Sequence, residues 1–328
     1  MKEPTVSVIM SVYNTKEIFL REAIESILCQ TFEDFEFIII DDHSDRTTSE
    51  ILYSYQTDKR VKIITNSENK GLTKNLNSAI GVAKGKYLAR MDADDIALPE
   101  RFRHQVDYLN DHNEIAAVGT YYTILEDNKE YVRSREICSS EWIKARLFFC
   151  NAGLMHSSMM MRASVVNIDN GLLYDERIKK SQDFDLWVRM SRCYRITVIP
   201  KYLMKYRVSD LQISNANINE QTSYKEKILI RQLKELGIYF TKDDAQIHLN
   251  MCEGKAVKKI DSIYIWSRKL IKRNRVTNMF NTAAFEYYLS LFALRSAKRS
   301  CKQLSDYFIL LYFCIKYSFM KAKSTLLS

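Results

Sequence analysis

Val6-Ser7-Val8-Ile9-Met10-Ser11-Val12 is a run rich in β-branched residues that stops at Tyr13-Asn14, the pattern of a buried strand. Beyond it, Leu20, Ala23, Ile24, Ile27 and Leu28 recur at helical spacing and define one face of a helix. Residues 35–40 form a second buried strand, cut off by Asp41-Asp42. A helix around 48–56 and a short strand at 61–65 follow, then a helix with Leu72, Leu76, Ala79, Ile80 and Ala83 on one face, ended by Gly85. The strand 86–91 delivers Asp92, Asp94 and Asp95. Pro99 fits the first position of a helix reaching about residue 111. Further on, the pattern predicts strands at 115–125, 131–135, 154–161 and 196–199. Helices are expected at 141–150 and 183–193, the latter with Leu186, Met190 and Cys193 inward, and after Arg207 the chain is helical to its end.

Strand–helix alternation with short connections predicts an α/β fold, a wound, mostly parallel sheet over 1–215, followed by a helical region over 216–328. Ligands bind such sheets at the carboxyl ends of the strands. Three of those ends carry polar groups: Tyr13-Asn14, Asp41-Asp42 and Asp92 to Asp95. With 46% hydrophobic and 27% charged residues the chain has a globular balance, and 8 glycines and 3 prolines leave little for flexible linkers. The seven cysteines show no C-x-x-C spacing, so neither a zinc site nor a disulfide framework is expected, and scattered thiols fit a reducing cytosol. The first apolar run is too short for a secretory signal, which again points to the cytoplasm.

Charge changes the picture in one place. The net +9 is concentrated in 251–328, which holds 15 basic and 4 acidic residues, whereas 1–250 holds 34 and 36. Apolar and basic residues interleave there, Trp266, Leu270 and Ile271 against Arg268, Lys269, Lys272, Arg273 and Arg275, and 307–315 is apolar. A membrane span needs about 20 apolar residues, so this region does not cross a bilayer. It suits the surface of an anionic cytoplasmic leaflet, or packs on the preceding domain with solvated cations outward. The slightly acidic body and the lack of a nucleic-acid-binding motif exclude DNA or RNA as the expected partner.

Three carboxylates within four positions repel one another unless a cation sits among them, and closely spaced hard oxygens suit Mg²⁺ or Mn²⁺. Such an ion keeps positions for substrate phosphates, so Asp92 and Asp94 read as part of a metal–diphosphate site, with Asp95 available to cap a following helix. Asp42 either caps the loop before Ser44 or accepts hydrogen bonds from a nucleoside, with Tyr13 against the base ring and Asn14 beside it. Lys74, Asn75 and Asn77 are either a polar helix start or contacts to the nucleotide. Asp183 sits where a helix begins and is either its N-cap or a general base for an acceptor hydroxyl. His156 is an acceptor-pocket residue or a structural histidine, and Arg207 a phosphate contact or a surface cation.

Together these motifs resemble an inverting family 2 glycosyltransferase with the GT-A fold, from about Thr5 to Ser214. Val6 to Asn14 resembles its opening strand, with Ser11 in place of a proline, and Asp41-Asp42-His43-Ser44 its nucleoside-holding turn. Asn69-Lys70-Gly71 resembles its Asn-x-Gly motif, and Ala89 to Arg101 is similar to the D-x-D segment of bacterial polysaccharide transferases. The resemblance implies ribose and metal contacts for Asp92, metal ligation for Asp94, and a catalytic base at Asp183 within Gln182-Asp183-Phe184-Asp185-Leu186-Trp187. Gln182 stands where glutamate is usual, and Ser209 where histidine is frequent after Tyr206-Arg207. The processive Gln-x-x-Arg-Trp motif is absent. The implied activity is non-processive transfer of one hexose, glucose or galactose, from a UDP-sugar to a lipid-diphosphate-linked saccharide in O-antigen or capsule synthesis, at the inner face of the cell membrane. A sugar-phosphate nucleotidyltransferase is the nearest alternative, but it needs a glycine-rich phosphate loop where this chain has Tyr13-Asn14-Thr15-Lys16.

Overall fold

In the computed structural model, which describes residues 3–127, 129–132, 139–167, 172–208, 218–301 and 306–325, β1 (Val6–Val12) runs parallel to β2 (Phe35–Asp41) on one side and β4 (Tyr87–Arg90) on the other. The full order is β3-β2-β1-β4-β8-β6-β9-β5, with β3 (Val61–Thr65), β5 (Ile96–Ala97), β6 (Ile115–Glu126), β8 (Met160–Arg162) and β9 (Arg195–Val208). A short β7 (Lys129–Val132) pairs β6. The first four strands are parallel, whereas β8 is antiparallel to both β4 and β6, so the sheet is mixed. Register sets the candidate site: Val12 lies opposite Asp41 and Ile9 opposite Arg90, which brings the polar ends of β1, β2 and β4 to one edge.

The apolar face of α1 (Glu17–Leu28), with Leu20, Ala23, Ile24 and Ile27 buried, shares one core with Val8, Met10, Phe37, Ile39 and Phe102. Helices α2 (Arg46–Ser54), α3 (Leu72–Val82), α4 (Arg101–Asp111), α5 (Ser140–Leu147) and α6 (Gln182–Cys193) complete the pattern up to β9. Gly85 is required where the chain enters β4. An added Cβ would lie 2.4 Å from the Ser7 nitrogen and 2.7 Å from the Val6 carbonyl carbon, both backbone atoms of the central strand. The Gly85 N–H donates to the Ser7 hydroxyl at 2.8 Å, which donates to Glu36 at 2.6 Å.

Three expectations are corrected. Pro99 is not the first helical residue: it occupies the second position of a turn in which the Arg101 N–H bonds the Leu98 carbonyl at 3.0 Å, a place its fixed φ suits. Residues 154–161 are not one strand. Ser158 donates its N–H and hydroxyl to the Met155 carbonyl at 3.0 and 2.8 Å, winding 156–158 into a 3₁₀ turn, a local competition that leaves only Met160–Arg162 for the sheet. Cys193 is exposed because α6 ends there, beyond the buried Leu186 and Met190. The chain packs as one unit of 1–140 with 153–221 and another of 141–152 with 222–328.

The reason lies in aromatic packing that local pattern does not reveal. Phe148 meets His248, Phe280 and Phe285 at ring-centroid distances of 5.2 to 5.4 Å, and Phe149 stacks on Phe292 at 5.1 Å. The Gln232 amide donates to the Leu147 carbonyl at 2.9 Å. This second unit carries α7 (Ile218–Glu235), α8 (Lys242–Glu253), α9 (Ile260–Thr277), α10 (Thr282–Ser300) and α11 (Asp306–Thr325).

Two measurements check this packing. Gly85→Ala should cost about 1–3 kcal/mol in urea unfolding, because the clash is with backbone that has no room to yield. Burial pushes His248 down to about 3 from an ordinary 6.5, so the unfolded chain binds a proton that the folded chain refuses. Stability is therefore present above about 6.5 and declines as pH falls toward 3, by about 1.4 kcal/mol per pH unit from this one proton. His248→Leu should remove that share of the slope between pH 6 and about 4.

Candidate active site

The end of β4 is built on two buried arginines. The Arg101 guanidinium donates to the Arg90 carbonyl at 2.9 Å and to the Gln105 amide oxygen at 3.0 Å, holding the backbone that leads into the aspartates. Burial, then the neighbouring Arg90, lowers Arg101 to about 9, with Asp95 opposing. Arg90 donates to the Asp92 carboxylate. Burial opposes ionisation of Asp92, but Arg90 and the Ser157 hydroxyl outweigh it and bring the carboxyl below its usual value.

Ser157 joins two of the carboxylates. Its hydroxyl oxygen lies 2.5 Å from both Asp92 Oδ2 and Asp95 Oδ2. Burial, then Asp92 and Asp94, raises Asp95 well above its usual value. Asp95 also accepts from the Arg207 N–H at 3.0 Å. It is a buried brace, and no helix starts behind it for it to cap. Asp94 remains half-buried; burial and the Asp92 charge push it up to about 6.

The other predicted residues fall into two groups. Around β1 and β2, Tyr13 is 53% exposed and Lys74 is exposed in the first turn of α3. Asn14, at φ 47°, accepts from the Asp45 N–H at 2.7 Å and so shapes the turn after β2. Asp42 is buried and already accepts from the Lys70 N–H at 2.8 Å, the Gly71 N–H at 2.9 Å and the Asn66 amide at 2.9 Å. Asn75 links Asn66 to the Ser11 hydroxyl, at 2.8 and 2.9 Å, and Asn77 clamps the Tyr174 backbone from both sides. Asp42, Asn75 and Asn77 thus hold loops in place.

Near β4, Arg207 is buried and turned inward. It donates to the Asp94 carbonyl at 2.8 Å and to the Glu22 carboxylate, and stacks 4.2 Å over Phe19, so it fixes the aspartate loop. His156 Nε2 is 2.7 Å from the Tyr174 hydroxyl, and its ring meets the edge of buried Trp187. Burial, then the Arg90 cation, lowers His156 to about 3, with Asp92 opposing, so the ring is neutral. Asp183 is the second residue of α6, half-buried, and its charge faces Tyr174. The residue before α6, Ser181, takes φ 61°, a left-handed conformation that costs a serine about 1–2 kcal/mol. Asp185 is fully buried against Arg189 at 2.7 Å and holds the helix start.

Sequence reading missed Arg90, Arg101, Ser157 and Tyr174. Only Arg90 carried a signal, a charge at the last position of an otherwise apolar strand next to the acidic cluster. Among the described residues, no three His, Cys, Asp or Glu side chains are grouped to enclose a metal by themselves.

The model described as glycosyl transferase family 2 matches residues 7–167. An uncharacterized glycosyltransferase of Haemophilus influenzae is 31% identical over 314 residues, 92% of this chain and 96% of that one. The O-antigen biosynthesis glycosyltransferase WbnJ of Escherichia coli is 32% identical over 208 residues, 62% of this chain and 79% of that one. Among solved structures, S. aureus TarS aligns with a TM-score of 0.58 at 17% identity, covering 89% of this chain and 90% of that chain. TarS in complex with UDP-GlcNAc aligns with a TM-score of 0.57 at 17% identity, covering 97% and 92%. At that identity the likeness is one of fold.

The brace at Asp95 makes a measurable distinction. Asp95→Asn keeps an acceptor for the Arg207 N–H and removes a carboxylate crowded by Asp92 and Asp94, so it should stay within about 1 kcal/mol of the parent in chemical unfolding. Asp95→Leu strands the Arg207 N–H, leaving the Ser157 hydroxyl to Asp92, and should cost about 1–3 kcal/mol.

Proposed function

The chain belongs to glycosyl transferase family 2, and on that premise we propose that it moves one hexose from a UDP-sugar to a lipid-diphosphate-linked saccharide with inversion at the anomeric carbon. The observation that carries this reading is the separation of roles among the carboxylates. Asp92 and Asp95 are bound into the Arg90–Ser157–Arg207 framework, whereas Asp94 is half-buried and pushed up to about 6, and Asp183 stands apart at the start of α6. A hard-oxygen group held against like charge fits Mg²⁺ or Mn²⁺, with Asp94 and Asp92 as protein ligands and donor phosphates completing the set. When bound, the ion offsets negative charge on the departing diphosphate.

The chain's own residues do the rest. Tyr13 packs against the base, Asp92 meets the ribose, and Lys74 lies toward the phosphates. Asp183 takes the proton of the acceptor hydroxyl as its oxygen attacks the anomeric carbon. The bond from that carbon to the diphosphate oxygen breaks, and an α-linked donor gives a β-linked product. Neutral His156, hydrogen-bonded to Tyr174, lines the acceptor side without adding charge. The UDP-GlcNAc complex of TarS supports a UDP-sugar donor, glucose or galactose by our reading. The similarity to the O-antigen biosynthesis glycosyltransferase WbnJ supports a lipid-borne acceptor and our assignment to O-antigen or capsule assembly. We assign it to the cytoplasmic side, peripheral to the membrane.

Screening UDP-sugars for Mg²⁺- or Mn²⁺-dependent UDP release, with a short-chain lipid-diphosphate GlcNAc or GalNAc acceptor, tests the proposal. Asp94→Ala and Asp183→Ala should each lower turnover by about 10²-fold or more with unchanged unfolding midpoints. Near-parental turnover by Asp183→Asn would remove Asp183 from the role of base.

A further inference from the structure

We propose that the outward faces of α9 and α11 dock the chain on an anionic phospholipid bilayer, an inference that rests on the lipid-borne acceptor for its purpose. Helix α11 has an inner and an outer side. Inward, Phe313 is buried, Tyr312 meets Tyr264 of α9 edge-on at 5.1 Å, and Lys316 pairs with Glu286 of α10 at 3.3 Å. Outward, Phe308, Leu311 and Ile315 follow at i, i+3 and i+7 and are 77%, 56% and 61% exposed. Three large apolar side chains on one helical stripe are an unusual load to leave in water.

Helix α9 adds the complementary chemistry. Ile265 and Val276, 64% and 70% exposed, bracket exposed Arg268 and Lys272, and the spacing of three, four and four residues puts all of them on one face. Nearby acids are already paired: Glu286 with Arg275 as well as Lys316, and Glu253 with Lys255 at 2.5 Å. Lys258, Lys259, Arg268, Lys272 and Lys298 are exposed, so cations outnumber carboxylates on this surface.

That charge decides the occupant. A second copy seated on this surface by two-fold symmetry would bring the same cationic field against itself. An anionic leaflet accepts both the cations and the apolar stripe. No helix among the described residues is long and apolar enough to cross a membrane, so docking is in the plane of the interface.

Flotation of the full chain with acceptor-free vesicles reads this face alone. Binding is expected to vesicles of phosphatidylglycerol and phosphatidylcholine, lost on pure phosphatidylcholine and weakened by salt. Phe308→Asp with Leu311→Asp, and separately Arg268→Glu with Lys272→Glu, should each weaken partitioning by about tenfold or more. All four side chains are exposed, so unfolding midpoints should hold. Equal binding by parent and variants overturns the proposal. So does a dimer in sedimentation velocity that Leu311→Asp dissolves while the parent ignores vesicles. Turnover of a water-soluble acceptor should survive in the face variants. Vesicle binding without any sugar transfer by the parent would sink the glycosyl-transfer reading and leave this one standing.

Discussion

Mutual repulsion among Asp92, Asp94 and Asp95 is the constraint around which the first unit is arranged. Three carboxylates at a strand end require compensation, and the chain supplies it from below, from the side and from behind. Arg90 and Arg101 are fully buried beneath the cluster, a placement that costs a great deal unless anions lie close by. Ser157 comes from the turn before β8 and Arg207 from the end of β9. Burial and the Asp92 and Asp94 charges raise Asp95 well above the usual carboxyl value, so its ionised form is disfavoured. The compensation is uneven, and Asp94 receives least of it. The geometry therefore concentrates unrelieved negative charge on one partly solvated group.

The same economy governs the β1–β2 edge. Asp42 is used to hold the 66–71 segment through two backbone N–H groups and one side-chain amide. Ser11 accepts the Asn75 amide that completes the chain from Asp42 through Asn66. A buried carboxylate satisfied by three donors is a rigid anchor. It positions the start of α3, and with it Lys74, relative to the end of β1.

Much of this was legible in the residues and part of it was not, for physical reasons. Strands β1 and β2 and helices α1 and α3 follow hydrophobic period alone, because each buries a continuous face on its nearest neighbours in sequence. The acidic cluster was legible because like charges at such density need a cause. Asp42 and Arg207 announced themselves as polar residues at the right edge, yet their partners lie 24 to 29 and up to 185 positions away in sequence. No local pattern carries that information. Phe148 and Phe149 were placed with the first domain for the same reason: the rings they pack against come more than a hundred residues later. The turn at 156–158 failed differently, since serine hydroxyls there outcompete a strand that apolar neighbours favour.

The commitments of the arginines bear on how a nucleotide sugar would be held. A diphosphate arriving at the β4 edge brings more negative charge to a place already rich in it. Arg90 is bound to Asp92, Arg101 to backbone and Gln105, and Arg207 to Glu22 and the Asp94 carbonyl. Each of these guanidinium groups is buried, so none swings out to meet phosphate without abandoning a carboxylate or carbonyl in a dry environment. His156 is neutral and adds no cation. Under the proposed function, exposed Lys74 would supply one positive charge and a divalent ion on Asp94 the balance. On that proposal an acidic site for an acidic substrate is no contradiction: the carboxylates would gather the cation, and the cation would receive the diphosphate.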